Sequence, residues 1–199
     1  PISFVKDVLF PYSAEYVEQY LVETKYDENT IRLKAELLAY YAESQGQTVA
    51  ELSHVPFDIV AYIRLLIKDD RKVPPLKQLQ GEMWAQGYAN GLLKSNVYAD
   101  VPTYFNRLTR CGSRVCIYSS GSRNAQKLLF KYSDKGDLRA HISCYFDTKV
   151  GSKQKKNSYE EIIESLGVDN AGSVLFLTDT VAEAEAAKEA GMDAIIVVR

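Results

Sequence analysis

The spacing of hydrophobic positions changes character near residue 95. Before that point apolar residues recur three and four apart, which gathers them on one face of a helix. Over 3–22 the pattern runs Phe4, Val5, Val8, Leu9, then Tyr16, Val17, Tyr20 and Leu21. Pro11 falls in the middle and predicts a break or kink between two helical pieces, because proline has no N–H to give to the ladder. Further helices are predicted over 31–41 and, briefly, over 48–52. Those over 57–67 and 76–88 follow Pro56 and Pro74-Pro75, prolines suited to a first helical turn. The first half reads as helix throughout.

Beyond residue 95 short apolar runs alternate with helical patterns. The spacing predicts helices over 101–110, 124–131, 159–166 and 182–190. Strands are predicted over 115–118, more weakly over 142–146, and over 174–177 and 194–198. Alternating strand and helix builds a parallel sheet. Gly167 and Gly191 stand just past two of these helices, where a left-handed capping residue is expected, and 148–157 is a polar loop carrying Lys149, Lys153, Lys155 and Lys156. The expected division is therefore a helical part over 1–95 and an α/β core over 96–199.

Composition narrows the function classes. A chain of 199 residues and 22.4 kDa holds one sizeable core, or a core with a smaller insertion. A formal net charge of -2 offers no surplus of cations for a phosphate backbone, so nucleic acid is not an expected partner. The longest apolar runs fall far short of the roughly 20 residues that span a bilayer, so no membrane segment is expected. Three cysteines without metal-like spacing, Cys111, Cys116 and Cys144, read as reduced packing residues. With no secretory pattern at the start, a cytoplasmic location is expected, the nucleus being left open. No heptad or self-complementary patch is evident, and a monomer is the expected state.

In open parallel sheets, ligands bind beyond the carboxyl ends of the strands. The first predicted strand runs into Ser119-Ser120-Gly121-Ser122 and then a helix. Hydroxyls, a glycine and a helix start suit a phosphate; they equally suit a capping serine with its neighbours. The third strand ends at Thr178-Asp179, with Glu183 one helical turn on, a spacing at which two carboxylates hold Mg²⁺ or merely cap and solvate a first turn. The weak strand delivers Asp147-Thr148-Lys149 and then Gly151-Ser152-Lys153, and a lysine beside the serines supplies charge for a phosphate dianion. Any one lysine in so basic a loop also suits plain solvation. Together hydroxyls, lysine and carboxylate point to phosphoryl transfer. His54 and His141 join no cluster, and neither a G-x-S-x-G elbow nor a glycine-rich nucleotide loop occurs.

The order of these elements resembles the haloacid dehalogenase superfamily of phosphatases. The stretches PISFVKDVLFPY (1–12), LKQLQGEMWAQGY (76–88), YADV (98–101), IYSSGSRNAQKLLF (117–130), YFDTKVGSK (145–153) and VLFLTDTVAEAEAA (174–187) are more narrowly similar to the enolase-phosphatase, or acireductone synthase, family of methionine salvage. The resemblance implies a Rossmann-like core with a helical cap and a requirement for Mg²⁺. It implies the substrate 2,3-diketo-5-methylthiopentyl 1-phosphate, a small phosphorylated diketone that is enolised and then dephosphorylated. Carried onto this sequence, Ser119 and Ser120 hold the substrate phosphate, Lys153 neutralises it and orients the nucleophile, and Asp179 binds Mg²⁺. Glu183 is added from its spacing, as a second-shell metal partner. The cap face toward the core is expected to take the methylthio end.

The same resemblance places the nucleophilic Asp in an Asp-x-Glu-Gly-Thr motif, on a central strand immediately before the segment matching 1–12. The first acid here, Asp7, lies in a helical pattern. The natural polypeptide is accordingly expected to be longer at both ends. Two other readings stay open: a related phosphatase for another small metabolite, and a catalytically silent phosphate-binding protein.

Overall fold

The structure is a computed structural model that describes residues 2–52 and 56–198. The chain forms two compact units, the first reaching Tyr98 and joined by Lys131–Gly136, the second made of Ala99–Phe130 and the residues from Asp137 on. Backbone bonds explain why the short segment joins the first unit: Ser95 N–H donates to the Tyr132 carbonyl at 2.9 Å, and Asp134 N–H to that of Ser95 at 2.7 Å.

The first unit is helical. Helix α1 (Ile2–Phe4), a π-helical stretch over Val5–Leu9 and α2 (Phe10–Glu23) follow one another without leaving helical dihedrals at Phe4, Leu9 or Phe10. Pro11 therefore does not break the helix. The turn before it widens instead, Phe10 N–H reaching back five residues to the Val5 carbonyl, which relieves the clash a proline ring makes with the carbonyl four positions earlier. The Leu9 carbonyl at this join is well served, taking the Ser13 hydroxyl at 3.0 Å and Trp84 Nε1 at 3.1 Å.

Polar caps set the starts that follow. Asp27 accepts Thr30 N–H at 2.9 Å to open α3 (Glu28–Ser44), and Asp58 accepts Ala61 N–H at 3.0 Å to open α5 (Ile59–Lys68). Between them Thr48 and Glu51 exchange bonds as a capping box on α4 (Val49–Leu52). Helix α6 (Pro74–Ala89) carries its two prolines in the first turn, as predicted. The apolar faces of α2, α3, α5 and α6 meet in one core where Val17, Leu33, Leu37, Ile63, Leu79 and Met83 are fully buried. Each contributes about 1.5–3 kcal/mol of transfer free energy.

The second unit alternates as the pattern predicts. Its elements are α7 (Val101–Arg110), β1 (Val115–Tyr118), α8 (Arg123–Lys131), β2 (Ile142–Phe146), α9 (Lys156–Leu166), β3 (Leu175–Thr178), α10 (Val181–Glu189) and β4 (Asp193–Ile196), with single 3₁₀ turns at Arg139–His141 and Ala171–Ser173. Gly167 and Gly191 are left-handed, with φ of 61° and 89°. The strands are parallel, but they make two ladders, β1 with β2 and β3 with β4. Among the described residues no strand pairing joins β1 to β3. Leu175 and Leu177 on β3 are 52% and 57% exposed.

Side chains of α9 and α10 connect the two ladders. Fully buried Tyr159 on α9 stands edge-on to Phe176 of β3, centroids 5.1 Å apart, and to Tyr118 of β1 at 5.7 Å. Ile162, Ala186, Ala187 and Met192 complete the cluster. Cys116 and Cys144 face each other across β1 and β2 with sulfurs 3.0 Å apart, and burial pushes the Cys116 thiol up to about 12. Cys111 departs from its expected packing role: it follows the last turn of α7 and is exposed. His54 lies outside the described residues, while half-buried His141 approaches the Thr109 hydroxyl. No helix among the described residues is long and apolar enough to cross a membrane.

Gly87 on α6 gives a test of this packing. A Cβ there would lie 2.7 Å from the end of the Tyr12 ring and 2.9 Å from Leu93. Tyr12 is stacked on Tyr16 and cannot easily retreat. Gly87→Ala is expected to destabilise the first unit by about 1–3 kcal/mol in urea unfolding, despite alanine's better helix propensity.

Candidate functional site

Strand β1 ends with Tyr118, and the chain turns through Ser119, Ser120 and Gly121 into α8. Ser119 is tied down by its N–H to the Phe146 carbonyl at 3.1 Å, and its hydroxyl oxygen accepts Gly121 N–H at 3.1 Å, which leaves the hydroxyl hydrogen free to donate elsewhere. Ser120 is exposed. The capping role that the sequence equally suggests falls to Ser122, whose hydroxyl accepts Ala125 N–H at 3.2 Å.

The end of β2 delivers Asp147, which the sequence places at the strand mouth without assigning it a role. Asp147 is only 6% exposed, and its two carboxylate oxygens accept Arg123 N–H at 3.2 Å and Lys149 N–H at 3.1 Å. It thereby fixes the start of α8 and the turn leaving β2. Gln126 adds a second tie, donating from one amide to both the Gly121 and Phe146 carbonyls at 2.8 Å. Two first-turn amides of α8 are thus already used, so the serine hydroxyls, more than the helix start, remain to meet an anion.

The four loop lysines separate by burial. Lys149, Lys155 and Lys156 are exposed, and Lys156 pairs with Glu160 on the surface. Lys153 is half-buried, its ammonium 2.7 Å from Glu183 Oε2 and 5.9 Å above the Tyr118 ring, with side chains 24% and 13% exposed for the Lys153–Glu183 pair. Glu183 also accepts the Thr178 hydroxyl at 2.7 Å. The β3–α10 junction and the β2–α9 loop therefore converge on one charge pair, beside the residue that precedes the serines. Glu183 is placed as the partner of Lys153; a second-shell metal role would have to coexist with that bond.

Asp179, next after β3, is exposed and takes one contact, the Thr180 hydroxyl at 3.2 Å on Oδ1. Among the described residues no three metal-ligating side chains cluster. Mg²⁺ nevertheless keeps several waters and is commonly held by one or two carboxylates with substrate phosphate, so an exposed Asp179 at the strand mouth fits it. Asp7 lies in the π-helical turn of the first unit.

Comparison with known proteins bears directly on this arrangement. Residues 7–191 match the haloacid dehalogenase-like hydrolase family. Enolase-phosphatase E1 of Drosophila simulans is 45% identical over 201 aligned residues, covering all of this chain and 78% of that protein. This chain belongs to the enolase-phosphatase family of haloacid dehalogenase-like hydrolases. It is a phosphatase by that membership. A Populus trichocarpa protein named "Probable bifunctional methylthioribulose-1-phosphate dehydratase/enolase-phosphatase E1" is 44% identical, with all of this chain matching 40% of its length. Among solved structures, the UTR4 protein of Saccharomyces cerevisiae superposes with a TM-score of 0.76 at 36% identity, over 98% of this chain and 83% of that one.

Two phenols frame the candidate site, and neither has a chemical signature in the sequence. Tyr118 donates to the Gly151 carbonyl at 3.0 Å and Tyr159 to that of Lys153 at 2.6 Å. Both hold their protons above the ordinary value of 10, chiefly through burial, with the Glu183 charge adding to it. Burial also pushes Tyr20 in the first unit up to about 12, reinforced by Glu82. A raised folded-state value means that the unfolded chain ionises first, so this stabilisation is complete below pH 10 and declines as pH rises further. Urea unfolding from pH 8 to 12 should show stability falling above pH 10, with tyrosinate absorbance of the folded protein lagging behind that of the unfolded.

Proposed function

We propose that this chain carries the Mg²⁺-dependent enolase-phosphatase reaction of methionine salvage, which enolises 2,3-diketo-5-methylthiopentyl 1-phosphate and then dephosphorylates it to the acireductone. The observation that carries the reading is Lys153. It alone of its loop is half-buried and held by a carboxylate, on a chain 45% identical along its whole length to an enolase-phosphatase. A basic loop serving only solubility would not hold one ammonium this way.

The residues divide the work. The Ser119 and Ser120 hydroxyls donate to the phosphate, and Asp147 and Gln126 keep their turn from yielding when charge arrives. Lys153 balances the dianion and stays in place as charge shifts onto the leaving oxygen, because Glu183 and the Tyr118 face hold it there beforehand. Asp179 would hold Mg²⁺, which when bound supplies Lewis-acid polarisation of the phosphoryl and diketone oxygens. The family resemblance assigns the attacking carboxylate to an Asp-x-Glu-Gly-Thr motif, and the form to assay is one that carries it.

Phosphate release from the diketone phosphate should require Mg²⁺. Asp179→Asn should abolish the metal-dependent rate while leaving the unfolding midpoint near that of the parent; full activity would remove Asp179 from the site. Lys153→Ala should cost about 10²- to 10³-fold in kcat/KM, the size of a preorganised electrostatic contact. A loss under about threefold would return Lys153 to ordinary solvation. Faster turnover of sugar phosphates than of the diketone phosphate would shift the substrate assignment and keep the phosphatase.

A further inference from the structure

Three successive carbonyls in the lysine loop each receive a side-chain hydroxyl, and each hydroxyl comes from a regular element. Tyr118 at the end of β1 donates to Gly151 at 3.0 Å, Ser158 on α9 donates to Ser152 at 2.7 Å, and Tyr159 on α9 donates to Lys153 at 2.6 Å. A loop normally leaves such carbonyls to water. Here Ser158 and Tyr159 are 2% and 0% exposed, so two of the donors come from buried side chains. The fit is close: Gly151 has φ of 126°, and a Cβ there would overlap the Ser158 hydroxyl.

Packing does not account for the Tyr159 hydroxyl. Its ring fills the space between Tyr118 and Phe176, a task that phenylalanine would perform equally well. What the oxygen adds is a bond to the backbone of the one lysine held at the site. Lys153 is thus fixed at both ends, its carbonyl by Tyr159 and its ammonium by Glu183, which is itself anchored by buried Thr178. A lysine side chain has many rotamers, and each lost before substrate arrives need not be lost at the transition state.

We propose that Tyr159 is a positioning residue for catalysis: with Ser158 and Tyr118 it forms a hydroxyl clamp on the carbonyls of Gly151, Ser152 and Lys153 that aims the Lys153 ammonium at the substrate phosphate. The proposal rests on Lys153 meeting that phosphate. The clamp makes no contact with substrate itself and acts only through the lysine.

A double-mutant cycle in the natural polypeptide tests it, using Tyr159→Phe, Lys153→Ala and the pair, read as kcat/KM for phosphate release and as the dissociation constant of inorganic phosphate. Tyr159→Phe should lower kcat/KM by about ten- to a hundredfold, the cost of misplacing a catalytic group by about 1 Å. It should weaken phosphate binding, yet cause no further loss of either quantity once Lys153 is alanine. Ser158→Ala should repeat the pattern more weakly. Equal losses with and without Lys153 would mean that Tyr159 is structural, and an unchanged rate in Tyr159→Phe would discard the clamp. Full activity in Lys153→Ala alone would overturn the phosphate site and the clamp with it, so the two failures are told apart by the single variants.

Discussion

Buried Tyr159 is the shared contact around which the two strand ladders of the second unit pack. Among the described residues the unit's strands pair as two separate ladders, and packed side chains join them. Tyr159 does so through side-chain contact, with Tyr118 of one ladder on one side and Phe176 of the other beside it. Edge-to-face aromatic contacts contribute about 0.5–1.5 kcal/mol each beyond the area they bury. Because the same residue bonds the lysine loop, one side chain both packs against the two ladders and ties down the backbone of Lys153.

The site economises on charge in a similar way. Asp147 spends both oxygens on backbone amides rather than on a cation, and Glu183 spends itself on Lys153 and Thr178. Neither carboxylate is left to repel an incoming phosphate without compensation. Asp179 stays exposed at the strand mouth, where a cation and its waters have room. Position relative to the strand ends thus places Asp147, Asp179 and Glu183 in different surroundings, the last two only four residues apart.

Much of this was legible in the residues. The three- and four-residue spacing located the helices, and the glycines at 167 and 191 marked left-handed ends because only glycine enters that region at little cost. Pro11 marks an irregularity between two helical pieces as its sequence position suggests, but the form it takes, a widened turn that accommodates its ring, is announced by no local pattern. The pairing of strands into two ladders was equally hidden, since alternation reveals strands and not their neighbours. At the candidate site, spacing alone could not separate Lys153 from Lys149, Lys155 and Lys156; family resemblance singles it out, and in the structure it is the half-buried one, paired with Glu183. The partnership of Lys153 with Glu183, thirty positions away, arises from the fold. Nothing in the sequence marks Tyr118, Ser158 and Tyr159, because a hydroxyl aimed at a carbonyl leaves no periodic trace.

The cysteines carry a practical consequence of the β1–β2 register. Cys116 and Cys144 shield each other inside the ladder, and the raised Cys116 value keeps that thiol protonated and unreactive at neutral pH. Cys111 is the most exposed of the three, Cys116 and Cys144 being half-buried. A maleimide dye or spin label would therefore react first at Cys111, just beyond α7 and a few residues before the strand that leads to the serines. The protein comes with its own attachment point for a spectroscopic reporter on the unit that holds the site.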